Sequence, residues 1–207
     1  MKTLLQLNAS LNADGGQSSL LANSYIAAWQ SAHPGAVVKS RNLATTDAVP
    51  HLTAERFQAF LAKPEDRTPE QKAVTDYSDT LINELKGADV VVLGLPMYNF
   101  GIPSQLKAYI DHVARAGVTF QYSATGPVGL VPNKKVYVFA TRGGFYAGTP
   151  ADTQTQYVRD FLKFIGITDV EFVYAEGLAY GPESAKENLG KANTEIERLT
   201  ASEQLAA

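Results

Sequence analysis

Val90-Val91-Val92-Leu93-Gly94-Leu95 is an almost unbroken apolar run that stops at Pro96. A strand with one wet face alternates apolar and polar residues, so a run this continuous suits a central parallel strand buried on both faces. Upstream of it, Thr68-Pro69-Glu70-Gln71 opens a helix. Thr68 can cap, Pro69 fits the first helical position, and Gln71 stands where a reciprocal capping box needs it. Val74, Tyr77, Leu81, Ile82 and Leu85 form the apolar stripe of that helix, and Gly87 ends it. Further back, Leu4 to Asn8 reads as a first strand. From Ser18 to Ala32 the positions Leu20, Leu21, Ile26, Ala27 and Trp29 recur at helical spacing before His33-Pro34-Gly35 breaks the run. Val37 to Asn42 is a second strand, and Leu43 to Arg67 is a surface excursion with a short helix from Thr53 to Leu61.

Downstream, Ser104 to Arg115 is a helix with Leu106, Ile110 and Val113 on one side. Gly117 to Val131 reads as an irregular or hairpin insertion, because Thr119, Phe120 and Tyr122 favour extended structure and Gly126, Pro127 and Gly129 favour turns. Val136 to Ala140 is a further strand, Tyr157, Phe161, Leu162 and Ile165 mark a helix closed by Gly166, Val170 to Tyr174 is the last strand, and Glu183 to Leu199 the last helix. Five strands with helical crossovers predict an α/β, doubly wound parallel sheet in flavodoxin-like order 2-1-3-4-5.

The chain has 207 residues, 45% of them hydrophobic, enough to bury one sizeable core, so one domain over residues 1–207 is expected. Its net charge of −3 gives no general attraction to nucleic acid or anionic lipid. With no cysteine, disulfides, thiolate catalysis and iron–sulfur ligation are excluded, and any redox chemistry must come from an organic cofactor. The start, Met1 to Asn8, is too brief an apolar run for a secretory signal, and no stretch approaches a membrane span, which leaves a cytoplasmic location as the expectation. His33, His51 and His112 lie on separate elements without metal-ligand spacing, so no metal is expected and the three read as structural or surface residues.

Ligands of an open α/β sheet bind beyond the carboxyl ends of the strands, where strand order reverses. That selects Ala9 to Ser19, Pro96 to Pro103 and Thr141 to Pro150. The first, with Ser10, Gly16, Gln17, Ser18 and Ser19 running into a helix, leaves backbone N–H groups free for a dianionic phosphate; it reads equally as a capped helix start. It lacks both the G-x-G-x-x-G dinucleotide pattern and the lysine phosphate loop. The second, Pro96-Met97-Tyr98-Asn99-Phe100, puts aromatic surface where polar turn residues are usual, as a flat heterocycle would require, or as packing against a helix or partner subunit would. In the third, Thr141-Arg142-Gly143-Gly144, adjacent glycines allow close backbone approach, or simply turn the chain.

At these residues the sequence resembles the FMN-dependent NADH azoreductase family, within the flavodoxin-like NAD(P)H:quinone oxidoreductases. The likeness is carried by Pro96 to Phe100, Ala114-Arg115-Ala116-Gly117-Val118-Thr119-Phe120, Arg142-Gly143-Gly144 and Phe164-Ile165-Gly166-Ile167-Thr168-Asp169-Val170, and covers nearly the whole chain. It implies FMN held through its phosphate by Ser10 and Gly16 to Ser19, and bordered at its ring by Pro96 to Phe100 and Thr141 to Gly144. It also implies NADH or NADPH as donor, with hydride passing by way of flavin N5 and no catalytic side chain named. Quinones would be reduced by two electrons and aromatic azo compounds cleaved to amines, in a ping-pong scheme. A homodimer with flavin sites at the interface is implied too, and an aromatic patch of Phe100, Phe120 and Tyr122 beside the site would need such cover. Tyr122 and Phe164 match substrate-pocket positions; read alone they are insertion packing and helix core, with core favoured for Phe164. Tyr146 stands where some relatives carry histidine, so substrate preference does not transfer. The competing expectation is a flavodoxin-like single-electron carrier without an organic substrate, whose usual acidic docking face this modest charge does not supply.

Overall fold

The computed structural model describes residues 2–45 and 47–206, with side chains through residue 201. Met1 of the opening segment and Thr46 of the excursion lie outside the described residues. In chain order the elements are β1 (Thr3–Asn8), α1 (Gln17–Ala32), β2 (Val37–Asn42), α2 (Ala54–Leu61), α3 (Pro69–Gly87), β3 (Val90–Pro96) and α4 (Ser104–Val113). They continue with β4 (Phe120–Ser123), β5 (Gly126–Gly129), β6 (Lys135–Thr141), α5 (Thr153–Phe164), β7 (Asp169–Ala175) and α6 (Pro182–Ala206).

A five-stranded parallel sheet runs β2-β1-β3-β6-β7, with Leu5 opposite Val91 and Val91 opposite Val136 across its centre. The expected order 2-1-3-4-5 needs correction in its numbering. The insertion after α4 forms a real antiparallel hairpin, β4-β5, so the fourth and fifth strands in sequence stand outside the sheet and β6 and β7 complete it.

The apolar run of β3 is continuous because successive side chains feed two different cores. Val91, Leu93 and Leu95 join Leu5, Leu7, Val136 and Val138 against α3, α4 and α5. Val90 and Val92 join Leu4, Tyr137 and Phe139 against Tyr25, Ile26 and Trp29 of α1 and Ile196 and Leu199 of α6. A buried period of two on both faces removes the polar alternation of a one-sided sheet. The α3 capping box forms as its sequence requires, Gln71 N–H donating to Thr68 Oγ1 and Thr68 N–H to Gln71 Oε1. Among the described residues no helix is long and apolar enough to cross a membrane.

Candidate functional site

All parallel strands point their carboxyl ends the same way, so the loops after β1, β3, β6 and β7 meet at one end of the sheet. After β1 the chain makes a tight turn at Ala13–Gly15, closed by Ala13 N–H on the Ser10 carbonyl (3.0 Å) and Gly16 N–H on the Ala13 carbonyl (3.2 Å). Helix α1 then starts at Gln17 with Gly16 as its N-cap and no side chain capping it. The amides of the first turn therefore lack an intrahelical acceptor and present the positive end of the helix. Ser18 and Ser19 in that turn are fully buried, and among the described residues neither hydroxyl has a hydrogen-bond partner. Buried polar atoms are normally paired, so two adjacent orphans beside free amides mark a place built for an acceptor. A Cβ added at Gly16 would lie 2.1 Å from Ser10 Oγ, which explains why the preferred capping residues are absent there.

The loop after β3 reverses in two residues. Tyr98 and Gly101 exchange backbone hydrogen bonds of 3.1 and 2.9 Å, and Asn99 and Phe100 between them sit at φ 50° and 63°. The left-handed region costs a residue with a Cβ roughly 1–2 kcal/mol, so Phe100 is held in a conformation that its own preference opposes, and it is 57% exposed. A strained backbone that holds an exposed ring makes Phe100 a candidate for contact with a ligand. The turn is braced by Gln154, whose amide donates to the Pro96 and Gly101 carbonyls at 3.0 and 3.2 Å, and by Thr153 Oγ1 on the Phe100 carbonyl. Tyr98 reaches back to the first loop, its hydroxyl accepting Leu11 N–H at 3.1 Å and standing 3.5 Å from Ser10 Oγ.

The loop after β6 is zipped to the loop after β7. The carbonyls of Arg142, Gly143 and Gly144 accept from the amides of Leu178, Ala179 and Gly177 respectively, at 3.0–3.1 Å. In a trans peptide the N–H points opposite the carbonyl, so the amides of Gly143, Gly144 and Phe145 face away from that loop as a row of donors. β6 lies between β7 and β3, so this direction leads toward the Met97–Gly101 turn. The Met97 amide, donating to the Thr141 carbonyl at 2.9 Å, joins the two loops directly.

Arg142 behaves differently from its glycine neighbours. Its side chain is 0% exposed and points into the protein, donating to Asp152 Oδ1 and Thr155 Oγ1 (both 2.9 Å) and to Glu176 Oε1 (3.1 Å), with the Tyr174 ring 4.9 Å away. Burial pushes the Asp152 carboxyl up, but the Arg142 and Thr155 hydrogen bonds outweigh it and hold the group below its ordinary range. The Arg142 backbone is engaged as well, its N–H donating to the Ala175 carbonyl at 2.9 Å and its carbonyl accepting Leu178 N–H at 3.1 Å, so Arg142 braces the loop rather than presenting a donor to a ligand.

Ser10, Gly16 to Ser19, Pro96 to Phe100 and Thr141 to Gly144 thus come together, and Tyr146 joins them, its ring edge-on to Phe100 at 5.6 Å. Tyr122 and Phe164 do not. Phe164 ends α5, whose first turn is tied to Arg142 through Thr155, and 12 helical residues span about 18 Å. The hairpin carrying Tyr122 packs at that far end, with Val131 N–H on the Ile165 carbonyl at 2.8 Å and Phe120 against Phe164 at 4.2 Å between ring centroids. The expected patch of Phe100, Phe120 and Tyr122 is corrected accordingly: Phe120 is buried, Tyr122 is 75% exposed, and both lie at the opposite end of the sheet from Phe100. His112 is structural, buried between Phe60 and Tyr77 with Nε2 on the Pro50 carbonyl at 3.0 Å.

Gln154, Asp152 and Glu176 escaped the sequence reading. Asp152 before a helical run was a legible capping signal, and Glu176 directly follows the edge strand β7, whose carboxyl-end loop was not weighed. Together the loops offer a phosphate seat at α1, an aromatic wall at Phe100 and Tyr146, and amide donors between, which suits a planar heterocycle carrying a phosphate.

A family model of the flavodoxin-like fold matches residues 1–199. The FMN-dependent NADH:quinone oxidoreductase of Cellvibrio japonicus is 52% identical over 198 residues, 96% of this chain and 98% of that one. That of Paraburkholderia phymatum is 54% identical over 196 residues, 95% and 98% of the two chains. An azoreductase from Bacillus anthracis str. Sterne superposes with a TM-score of 0.87 at 30% identity, covering 97% of this chain and 99% of that one. An FMN-dependent NADH-azoreductase from Bacillus anthracis str. Ames Ancestor, solved in complex with FMN, gives 0.88 at 26% identity over 98% and 99%. With a fold match along nearly its whole length and half its residues shared with such enzymes, this chain belongs to the flavodoxin-like family of FMN-dependent NADH:quinone oxidoreductases.

Proposed function

We propose that this protein is an FMN-dependent oxidoreductase that takes hydride from NADH, reduces quinones by two electrons and cleaves aromatic azo compounds to amines, the two substrates alternating at one site. The observation that carries the reading is the pair of orphaned, buried Ser18 and Ser19 hydroxyls at an uncapped helix start. They fit a phosphate monoester of the kind FMN carries, and Gly16 leaves room for the Ser10 side chain to stand beside them. The amides of Gln17 to Ser19 and the Ser10, Ser18 and Ser19 hydroxyls would hold that phosphate. Phe100 and Tyr146 would wall the ring, and the Gly143 and Gly144 amides would donate to its polar edge. FMN bound there supplies the two-electron carrier that the protein's own side chains lack.

This chain's residues then place and shield. Donor amides fixed by the backbone zipper stabilise negative charge without reorganising, which is where preorganised dipoles contribute most. One aromatic mouth leaves room for one stacked partner, so donor and acceptor take turns.

Since Tyr122 and Phe164 stand about one α5 length from these loops, a single copy cannot add them to the pocket. The proposal is a homodimer in which a second copy brings them across, Tyr122 being 75% exposed and available for it. The reading includes a cytoplasmic location and one folding unit over residues 1–207, the latter supported by the family match over residues 1–199.

Heat-released cofactor should run as FMN, and anaerobic NADH should bleach the holoprotein with no acceptor present. Rates over a grid of NADH and menadione concentrations should give parallel double-reciprocal lines. FAD or no flavin after reconstitution defeats the cofactor assignment; intersecting lines, with bleaching only once quinone is added, defeat the alternating scheme.

A further inference from the structure

The backbone zipper that fixes the loop after β6 stops one residue short of the aromatic wall. It takes the carbonyls of Arg142, Gly143 and Gly144 and nothing beyond. Tyr146, whose ring meets Phe100, comes next but one. Its carbonyl is used inside its own turn, accepting Thr149 N–H at 2.9 Å and Thr149 Oγ1–H at 2.8 Å. Among the described residues, the hydrogen bonds tying the Tyr146 and Ala147 amides to the rest of the fold both end on one atom, Glu176 Oε1, each at 2.9 Å. The same oxygen accepts Arg142 Nη1 at 3.1 Å, and the Glu176 side chain is only 13% exposed.

The surrounding glycines suit this arrangement. A Cβ at Gly144 would fall 2.7 Å from the Tyr146 Cζ and hydroxyl, so the ring folds back over a residue with no side chain. A Cβ at Gly177, the residue after Glu176, would fall 2.3 Å from the Phe145 ring, and its φ of 67° favours glycine as well. Both rings next to the clamp are thus seated on glycines, with a partly buried carboxylate between. A carboxylate in that position is costly unless it is paired, and here one oxygen, Oε1, collects two amides and a guanidinium.

We propose that Glu176 is a positioning residue that sets acceptor selectivity: by gathering the Tyr146 and Ala147 amides onto Arg142 it holds the Tyr146 ring against Phe100 and fixes the width of the mouth. The inference rests on the proposed function for the identity of what enters that mouth. It adds a residue from the loop after β7, acting through Tyr146 and not on FMN or substrate. Releasing the clamp frees the 145–147 turn while the phosphate seat at α1, which shares no hydrogen bond with it, stays as it was.

The test compares wild type, Glu176→Gln, Glu176→Asp and Tyr146→Ala. Aspartate keeps the counter-charge for Arg142 but is one methylene too short to reach both amides, so it serves if glutamine impairs folding. In the apoprotein, amide exchange of Tyr146 and Ala147 should accelerate at least about tenfold in both Glu176 variants. FMN affinity of the two Glu176 variants, read by flavin fluorescence quenching, should stay within about twofold of wild type. The ratio of kcat/KM for a three-ring anthraquinone to that for benzoquinone should rise about tenfold in each Glu176 variant and in Tyr146→Ala. It should not rise further when a Glu176 variant is combined with Tyr146→Ala. An unchanged ratio in either the Glu176 variants or Tyr146→Ala, or a full further rise in the combined variant, overturns the proposal. Wild-type protein that binds no FMN refutes the functional reading instead, while the exchange arm still decides whether the clamp exists.

Discussion

Gly16→Ala is the sharpest available test of the phosphate seat, because the backbone there would accept alanine and only the space refuses it. Gly16 has φ −70° and ψ 140°, ordinary extended values for any residue. The new Cβ would stand 2.1 Å from Ser10 Oγ and 2.6 Å from Ser10 Cβ, where ordinary contact begins at 3.4 Å. Ser10 is itself buried and its Oγ accepts Asn12 N–H at 3.2 Å, so retreat by more than an ångström breaks that bond and shifts the turn that leads into α1. Overpacking of this kind costs about 1–3 kcal/mol. With that displacement falling on the phosphate seat, FMN affinity should weaken by about 5- to 150-fold. Gly15→Ala is the matched control: nothing lies within 4 Å of its Cβ, so its FMN affinity should stay within about twofold and its stability should hold or rise by up to about 1 kcal/mol. Both are read by FMN titration and thermal melting of the apoprotein. Equal affinities for Gly16→Ala and wild type, or equal losses in Gly15→Ala and Gly16→Ala, would refute the reasoning.

Ser18→Ala and Ser19→Ala should move two quantities in opposite directions. Each removes an unpaired buried hydroxyl, so apoprotein stability should hold or rise, while loss of a hydrogen bond to a charged phosphate should weaken FMN by about 1.5–3 kcal/mol; unaltered FMN affinity in both would place the phosphate elsewhere. A pH effect is expected at His112. Burial, with a smaller contribution from Arg56, lowers its pKa against the opposing Pro50 hydrogen bond and Asp111, and its Nδ1 has no acceptor for a second proton. Because the folded value lies below 6.5, the unfolded chain binds more protons there; stability is complete above about pH 6.5 and declines as the pH falls through the folded value. Urea midpoints from pH 8 to pH 5 should fall more steeply in wild type than in His112→Gln, and parallel slopes would exclude the mechanism.

Much of the fold was legible because it rests on short-range periodicity. The unbroken run at β3, the capping box at Thr68 and the helical stripes each report burial along one element, and together they left one doubly wound arrangement. The hairpin was visible as a turn-rich insertion, but whether its strands entered the sheet was not, since four-residue strands carry too little pattern to choose a partner. At the site, the small-residue loop after β1 and the aromatic turn after β3 could be picked out because each is a continuous segment. The direction of Arg142 could not: a residue between a strand and two glycines turns either way, and its partners lie 10 and 34 positions on.

The sequence by itself therefore determined the elements, their stacking into a covered parallel sheet, and the loops at its carboxyl end, because local periodicity and the direction of parallel strands suffice for these. Tertiary structure alone decided that Glu176 holds the Tyr146 turn, that Arg142 faces inward, and that Tyr122 and Phe164 sit at the far end from the loops they were expected to join. Those outcomes depend on which distant residues meet when helices pack, and no spacing along the chain encodes a contact between side chains that only the folded crossovers bring within reach.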